Sequence, residues 1–193
     1  YFKNEFTELN SEKLKRRSAM AMGVIASRTE NPKVKEETAT MLIDEYHSDS
    51  SDKVVMLRSL SNAGLESTQD FLVNLANSSE SNKIASEAIR ALRKINTPVA
   101  ASTLNEFMHS NTLEFREAAV SAYRNQSISS NELKMLGNRL NRESNNAVAR
   151  NLISVIASYK GDREEAKQVL TDYLNHCSDY KLCNVAESAI TSL

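Results

Sequence analysis

Cys177 and Cys183 enclose Ser178, Asp179, Tyr180, Lys181 and Leu182, and the 193-residue chain contains no other cysteine. The pair spans one expected turn between two helices, so the expected chemistry is a disulfide that staples that turn. Closing so small a loop stabilises modestly, on the order of 2 kcal/mol in the chain-entropy model. A bond there fits a secreted or periplasmic chain, whereas two unpaired thiols fit an intracellular repeat. His176 and Asp179 beside the cysteines raise a zinc set as a further alternative. Structural zinc draws its ligands from two separated pairs, and this spacing does not supply them.

The other charged candidates are basic. Lys13, Lys15, Arg16 and Arg17 form the densest cationic cluster, with Lys13 and Arg17 sharing one helical face. They are a candidate patch for an anionic partner, weighed against a solvated face neutralised by Glu8 and Glu12. Arginine recurs at 58, 90, 116, 124 and 150. A guanidinium offers several donors in a fixed fork, so these residues are expected to bond carbonyls of adjacent layers. His47 and His109 stand alone at helix ends, where the dipole favours an imidazolium. Tyr46, Tyr123, Tyr159 and Tyr173 lie in or beside apolar stripes and read as core residues with a hydrated hydroxyl.

Catalytic patterns are missing. There is no Gly-x-Ser-x-Gly, phosphate loop, His-Glu-x-x-His or Gly-rich dinucleotide turn. Glu36-Glu37 and Glu164-Glu165 are adjacent on helices, so their carboxylates diverge. Neither an enzyme active site, a cofactor site nor a metal site is expected.

What positions these residues is a repeat. Leu60, Leu92, Tyr123, Ile156 and Ile190 sit at equivalent places in helices rich in small residues, separated by 32, 31, 33 and 34. A steady period of this size marks a solenoid of helical hairpins, which bury their apolar faces only by stacking. Alanine and serine let neighbouring helices approach, while Leu, Ile and Phe fill the layers. The expected fold is all-α, a right-handed α-α superhelix forming one repeat domain over residues 1–193.

The punctuation agrees with helices. Helix one is expected over Ser11–Arg28, with Leu14, Ser18, Ala21, Met22 and Ile25 inward. Asn31-Pro32 restarts a helix, Ser51 or Asp52 caps the next, and Gly64 ends it. Ser67 opens a short helix. Ser81 precedes the stripe Ala85, Ala88, Ile89, Leu92, Ile95. Further starts are expected at Thr97-Pro98, Thr112, Ser130, Ser144 or Asn145, and Asp162, the last forming a capping box with Glu165. Phe2, Phe6 and Leu9 read as the tail of an element already under way, and Leu193 ends a stripe with no stop signal. The chain is therefore expected to be a piece of a longer one.

The segments Glu87–Ile95 and Arg116–Asn125 resemble HEAT-type repeats. Arg16–Gly23, Leu57–Gly64 and Ser67–Leu72 together resemble the helical domain of the large lipid transfer proteins, the vitellogenin, apolipoprotein B and microsomal triglyceride transfer protein family. The Asn62-Ala63-Gly64 segment carries that likeness; Ser61 departs from it, standing where the family usually has Gly. The likeness covers residues 11–193 and implies a scaffold arch from a lipid carrier, with the lipid-holding β-sheets outside this chain. No lipid-contact residue is implied.

Composition bounds the function. Charge totals 24 basic against 25 acidic residues, net −1, with no Trp. That balance argues against nucleic-acid binding and against a HEAT-like DNA glycosylase. No apolar run reaches the ~20 residues of a membrane span. The expected function is a non-catalytic interaction scaffold, in a lipid-transport protein or as a generic HEAT-type protein-binding module. A HEAT-like enzyme such as a bilin lyase is the third reading. Expected partners are proteins or other domains of the same chain, with lipid only through a missing β-rich region.

Overall fold

The computed structural model describes residues 12–48, 52–78 and 81–193. The helical face expected from Phe2, Phe6 and Leu9, the helix start at Ser11 and the alternative cap Ser51 lie outside them. The described residues form helices and turns without strands. The helices are α1 (Glu12–Arg28), α2 (Pro32–Tyr46), α3 (Lys53–Ala63), α4 (Gln69–Ala76), α5 (Asn82–Ala91), α6 (Pro98–Met108), α7 (Leu113–Tyr123), α8 (Ser130–Leu140), α9 (Asn146–Ala157), α10 (Arg163–Leu174) and α11 (Tyr180–Ser192). Short 3₁₀ turns, Glu66–Thr68 and Leu92–Lys94, precede α4 and follow α5.

Two compact units divide the chain, one ending at Thr103 and one spanning Leu104–Leu193. In the first, α1 packs on α3 and α3 on α5, while α2 and α4 back this row. In the second, α7 packs on α9 and α9 on α11, with α8 against α10. Of the five register residues, Leu60, Leu92, Tyr123 and Ile156 are at most 1% exposed, as stacking of equivalent helices requires, while Ile190 on α11 is half-buried.

The α1 face differs from expectation. Leu14 and Ile25 are 48% and 47% exposed, and the buried set is Ala19, Met22, Gly23 and Ala26. Proximity is the reason. A Cβ on Gly23 would lie 2.2 Å from the Ser59 carbonyl oxygen, so α1 and α3 meet with almost no side chain between them. At Gly23 no side chain fits that seam, and Leu14, Ala21 and Ile25 face outward, while Met22 is buried as expected.

Helix starts mostly follow the sequence signals. Asn31 accepts from the Lys33 and Val34 amides, Asp52 from Val55, Ser81 from Ile84, and Asn145 from Ala147 and Val148. Gly64 terminates α3 in the left-handed region, φ 61°. Three details depart. Ser129, one residue earlier than expected, caps α8 in a box with Glu132. Ser130 instead donates its hydroxyl to Glu165, 3.0 Å away. Glu165, engaged by Ser130 and by the Tyr159 hydroxyl, does not complete a box with Asp162, which accepts from the Glu164 amide alone. Thr112 holds the cap position of α7 without a side-chain bond.

Candidate functional site

In the first unit the α1–α3–α5 row carries a groove of about 570 Å³, lined by Met20, Arg58, Ser61, Asn62, Glu87, Arg90 and Arg93. Helical spacing sets this lining. Arg58, Ser61 and Asn62 lie three and four residues apart on α3, and Glu87, Arg90 and Arg93 follow at intervals of three along α5 and its 3₁₀ extension. Three guanidiniums face one carboxylate.

Glu87 spends itself chiefly on Arg58. Arg58 Nη2 and Nε donate to Glu87 Oε1 and Oε2 at 2.9 and 3.3 Å. That hydrogen bond and the adjacent negative charge raise the Arg58 pKa above its ordinary value. Arg90 reaches the same carboxylate only at 3.9 Å. Arg93 Nη2 donates to a neutral acceptor, Asn62 Oδ1, at 2.7 Å, and its buried Nε has no acceptor. Lys94 Nζ donates to the Asn62 carbonyl at 2.8 Å. Desolvation, then the Arg93 and Arg28 charges, lower the Lys94 pKa. Among the described residues no carboxylate pairs with Arg93 or Lys94.

The Asn62-Ala63-Gly64 segment thus has local work in this chain. Asn62 ties α3 to Arg93 and Lys94, and Ala63 is buried with Ala26, Ala39 and Leu65. Gly64 sits under the Lys94 side chain, where a Cβ would lie 2.6 Å from Lys94 Cβ.

The basic cluster Lys13, Lys15, Arg16 and Arg17 occupies the first turns of α1. Arg16 pairs with Asp52 at 3.2 Å, a partner two helices on, while Glu8 lies outside the described residues. Lys13, Arg16 and Arg17 precede Met20 by seven, four and three residues, which places them on the helical face of that groove residue.

In the second unit arginine has a different task. Arg116 binds Glu143 through Nε and Nη2 at 3.0 and 3.2 Å, and its Nη1 donates to the Ser110 and Asn111 carbonyls. Arg139 pairs with the same Glu143 and donates Nε to the Met108 carbonyl at 2.8 Å. The Glu143 side chain is 0% exposed. Arg139, which bonds a carbonyl about one repeat back, takes the role expected of the recurring arginines, and sequence reading passed it over. The signal was present: an arginine inside the Leu133-Leu136-Leu140 stripe with a glutamate four residues on. Arg124 bonds the Asn151 side chain at 2.6 Å, and Arg150 is exposed. A second cavity, about 540 Å³, opens at the α7–α8 and α9–α10 turns between residues such as Arg124, Gln126, Tyr159 and Lys160.

Cys177 and Cys183 are joined, with Cα atoms 5.9 Å apart, across the α10–α11 turn. Among the described residues no group of three or more His, Cys, Asp or Glu is placed to hold a metal. His109 Nδ1 lies 2.8 Å from the Asn105 carbonyl, and the His47 ring packs edge-on to Tyr46 and Phe71. Tyr46, Tyr123 and Tyr173 are buried, while Tyr159 is half-buried. Among the described residues no helix is long and apolar enough to cross a membrane.

A family model for HEAT repeats matches residues 25–124. An engineered protein is similar in structure at TM-score 0.56 and 17% identity, over 97% of this chain and 93% of that one. A designed armadillo repeat protein, solved in complex with the peptide (KR)4, matches at TM-score 0.56 and 15% identity, over 97% and 96%. An archaeal HEAT-like repeats protein from Thermococcus onnurineus NA1 matches at TM-score 0.50 and 15% identity, over 96% and 86%. No curated protein matches the chain. At these identities the structural likenesses speak to fold, which is a HEAT/armadillo-like helical repeat solenoid.

Proposed function

We propose, from the premise that this chain belongs to the HEAT-repeat family, that it is a non-catalytic protein-binding module whose contact surface is the groove along α1, α3 and α5. The observation that carries this reading is the groove itself, a polar channel with arginine donors in excess of its own acceptors. Helical rows of this kind present area to an elongated ligand rather than a pocket around a reacting group. The designed armadillo protein of similar fold holds a peptide, which supports the same use here. Catalysis finds no assembled acid, base or nucleophile in the groove, where Glu87 is consumed by Arg58.

The lipid-carrier reading has less support. Its distinguishing segment, Asn62-Ala63-Gly64, is accounted for by packing between repeats, and the designed armadillo protein and the archaeal HEAT-like protein described above are repeat proteins. An oxidising compartment, secreted or periplasmic, is part of the proposal and draws on the Cys177–Cys183 bond.

Selection of a random peptide library against the whole chain tests the function. Ligands whose binding is lost on Asn62→Ala and Arg90→Ala are expected. A selection that returns none, or only ligands indifferent to both substitutions, overturns the reading.

A further inference from the structure

Resting on that peptide-binding reading, we propose that the groove selects an acidic, extended segment of a protein partner, with Arg90 and Arg93 receiving two of its carboxylates.

The charge inventory points this way. The lining holds Arg58, Arg90 and Arg93 against Glu87, an excess of two positive charges in a chain whose net charge is −1. The excess is not spread evenly. Glu87 holds Arg58 by two hydrogen bonds, which leaves Arg90 with a distant contact and Arg93 with a neutral amide oxygen. Lys94 adds charge next to Arg93, and its pKa is lowered by desolvation and then by the Arg93 and Arg28 charges. A protein that merely needed these helices joined would supply a second carboxylate here. Among the described residues Glu87 is the one carboxylate lining the groove, so positive charge exceeds negative there, a situation an incoming anion relieves.

Spacing narrows the ligand. Arg90 and Arg93 are three residues apart, which on a helix separates Cβ atoms by about 5–6 Å. In an extended peptide, residues two apart lie on one side and are separated by about 6–7 Å. Alternating carboxylates therefore match the two guanidiniums, each of which suits a carboxylate fork. Beyond Met20, the α1 face continues through Arg17 and Lys13, about 4–11 Å further along the helix axis at 1.5 Å per residue. Arg16 on that face is already paired with Asp52. The cationic track is thus longer than the groove and favours a segment rather than a single anion.

A single-stranded nucleic acid is the competing polyanion. Among the described residues the groove lining contains no aromatic ring on which a base could stack.

Fluorescence anisotropy with the whole chain tests the inference. The probes are a labelled ten-residue peptide alternating Glu and Ser, its Gln and Lys counterparts, and a ten-nucleotide single-stranded RNA. The Glu peptide is expected to bind at low salt and to weaken as salt is raised. The Gln peptide should bind at least about tenfold more weakly, the Lys peptide not at all, and the RNA more weakly than the Glu peptide. Arg90→Glu should abolish Glu-peptide binding. Arg93→Lys, which keeps charge but loses the fork, should weaken it severalfold with an unchanged melting temperature. Equal binding of the Glu and Gln peptides, tighter binding of RNA, or indifference to Arg90→Glu in a folded variant overturns the proposal. Groove-dependent library ligands that lack acidic residues would overturn this inference while leaving the peptide-binding reading in place.

Discussion

Arginine is used in opposite ways by the two units. In the second, Arg116 and Arg139 converge on Glu143, whose side chain is shut away from solvent, and the remaining guanidinium donors mentioned go to the carbonyls of Met108, Ser110 and Asn111. In the first, Glu87 pairs with Arg58 and, more distantly, Arg90, while Arg93 donates to the Asn62 amide oxygen, and the Arg58 side chain is 57% exposed. The buried cluster is satisfied internally and offers little to a ligand. The open one retains donors that the fold itself does not use. The same residue type in the same kind of repeat thus serves cohesion where carbonyls and a buried carboxylate surround it, and recognition where they do not.

The largest effect that bears on this contrast is expected at Glu143. Glu143→Ala leaves two guanidiniums in a poorly solvated site without their anion, and should cost about 3–5 kcal/mol in denaturant unfolding. A loss under about 1 kcal/mol would show that the second-unit cluster is not structural and would erase the contrast. Next comes the seam between α1 and α3. In Gly23→Ala the new methyl meets the Ser59 backbone, which cannot rotate away, so a loss of about 1–3 kcal/mol is expected. Gly137→Ala meets the Val169 side chain instead, which can turn, so its loss should be smaller. Equal losses at the two glycines would contradict the backbone contact assigned to α1.

The half-buried pair in the groove should matter less for stability than the Glu143 cluster. Arg58→Ala is expected to shift unfolding by about 1 kcal/mol, since Arg58 is 57% exposed and its attraction to Glu87, 12% exposed, is partly screened. The smallest expected effect concerns pH. Bonds from the Leu182 amide, the Asn146 side chain and the Lys181 amide lower the Asp179 pKa in the folded chain. The unfolded value is then the higher one, so this cap's contribution is present above the ordinary carboxylate range. It is lost as pH falls through the depressed folded value. Asp179→Asn should flatten the acid limb of the stability profile; an unchanged limb would remove Asp179 from that account.

Much of the fold was legible because the repeat is carried by residue size. Leu60, Leu92, Tyr123 and Ile156 keep one register, and all are buried. Caps were legible where a single Asn, Asp or Ser precedes the helix, as at Asn31 and Ser81. Where two serines adjoin, at Ser129 and Ser130, local sequence could not choose, and the choice fell to Glu132 and Glu165. The inward face of α1 holds at Met22 but not at Leu14, Ala21 or Ile25, because apolar spacing does not reveal that Gly23 meets the Ser59 backbone. The candidate site was only partly visible. Recurring arginines stood out, but which of them has a carboxylate depends on pairs 27–29 residues apart, such as Arg58 with Glu87 and Arg116 with Glu143. Sequence alone does not order those pairs.

A reciprocal substitution measures the central contrast most directly: Arg90→Ala and Arg116→Ala, each assayed for denaturant unfolding and for binding of the alternating Glu-Ser peptide. Arg90→Ala should lose binding and keep its stability, whereas Arg116→Ala should lose stability and, while folded, keep binding. Unfolding by Arg90→Ala together with loss of binding in folded Arg116→Ala would contradict the assignment of the two arginine clusters.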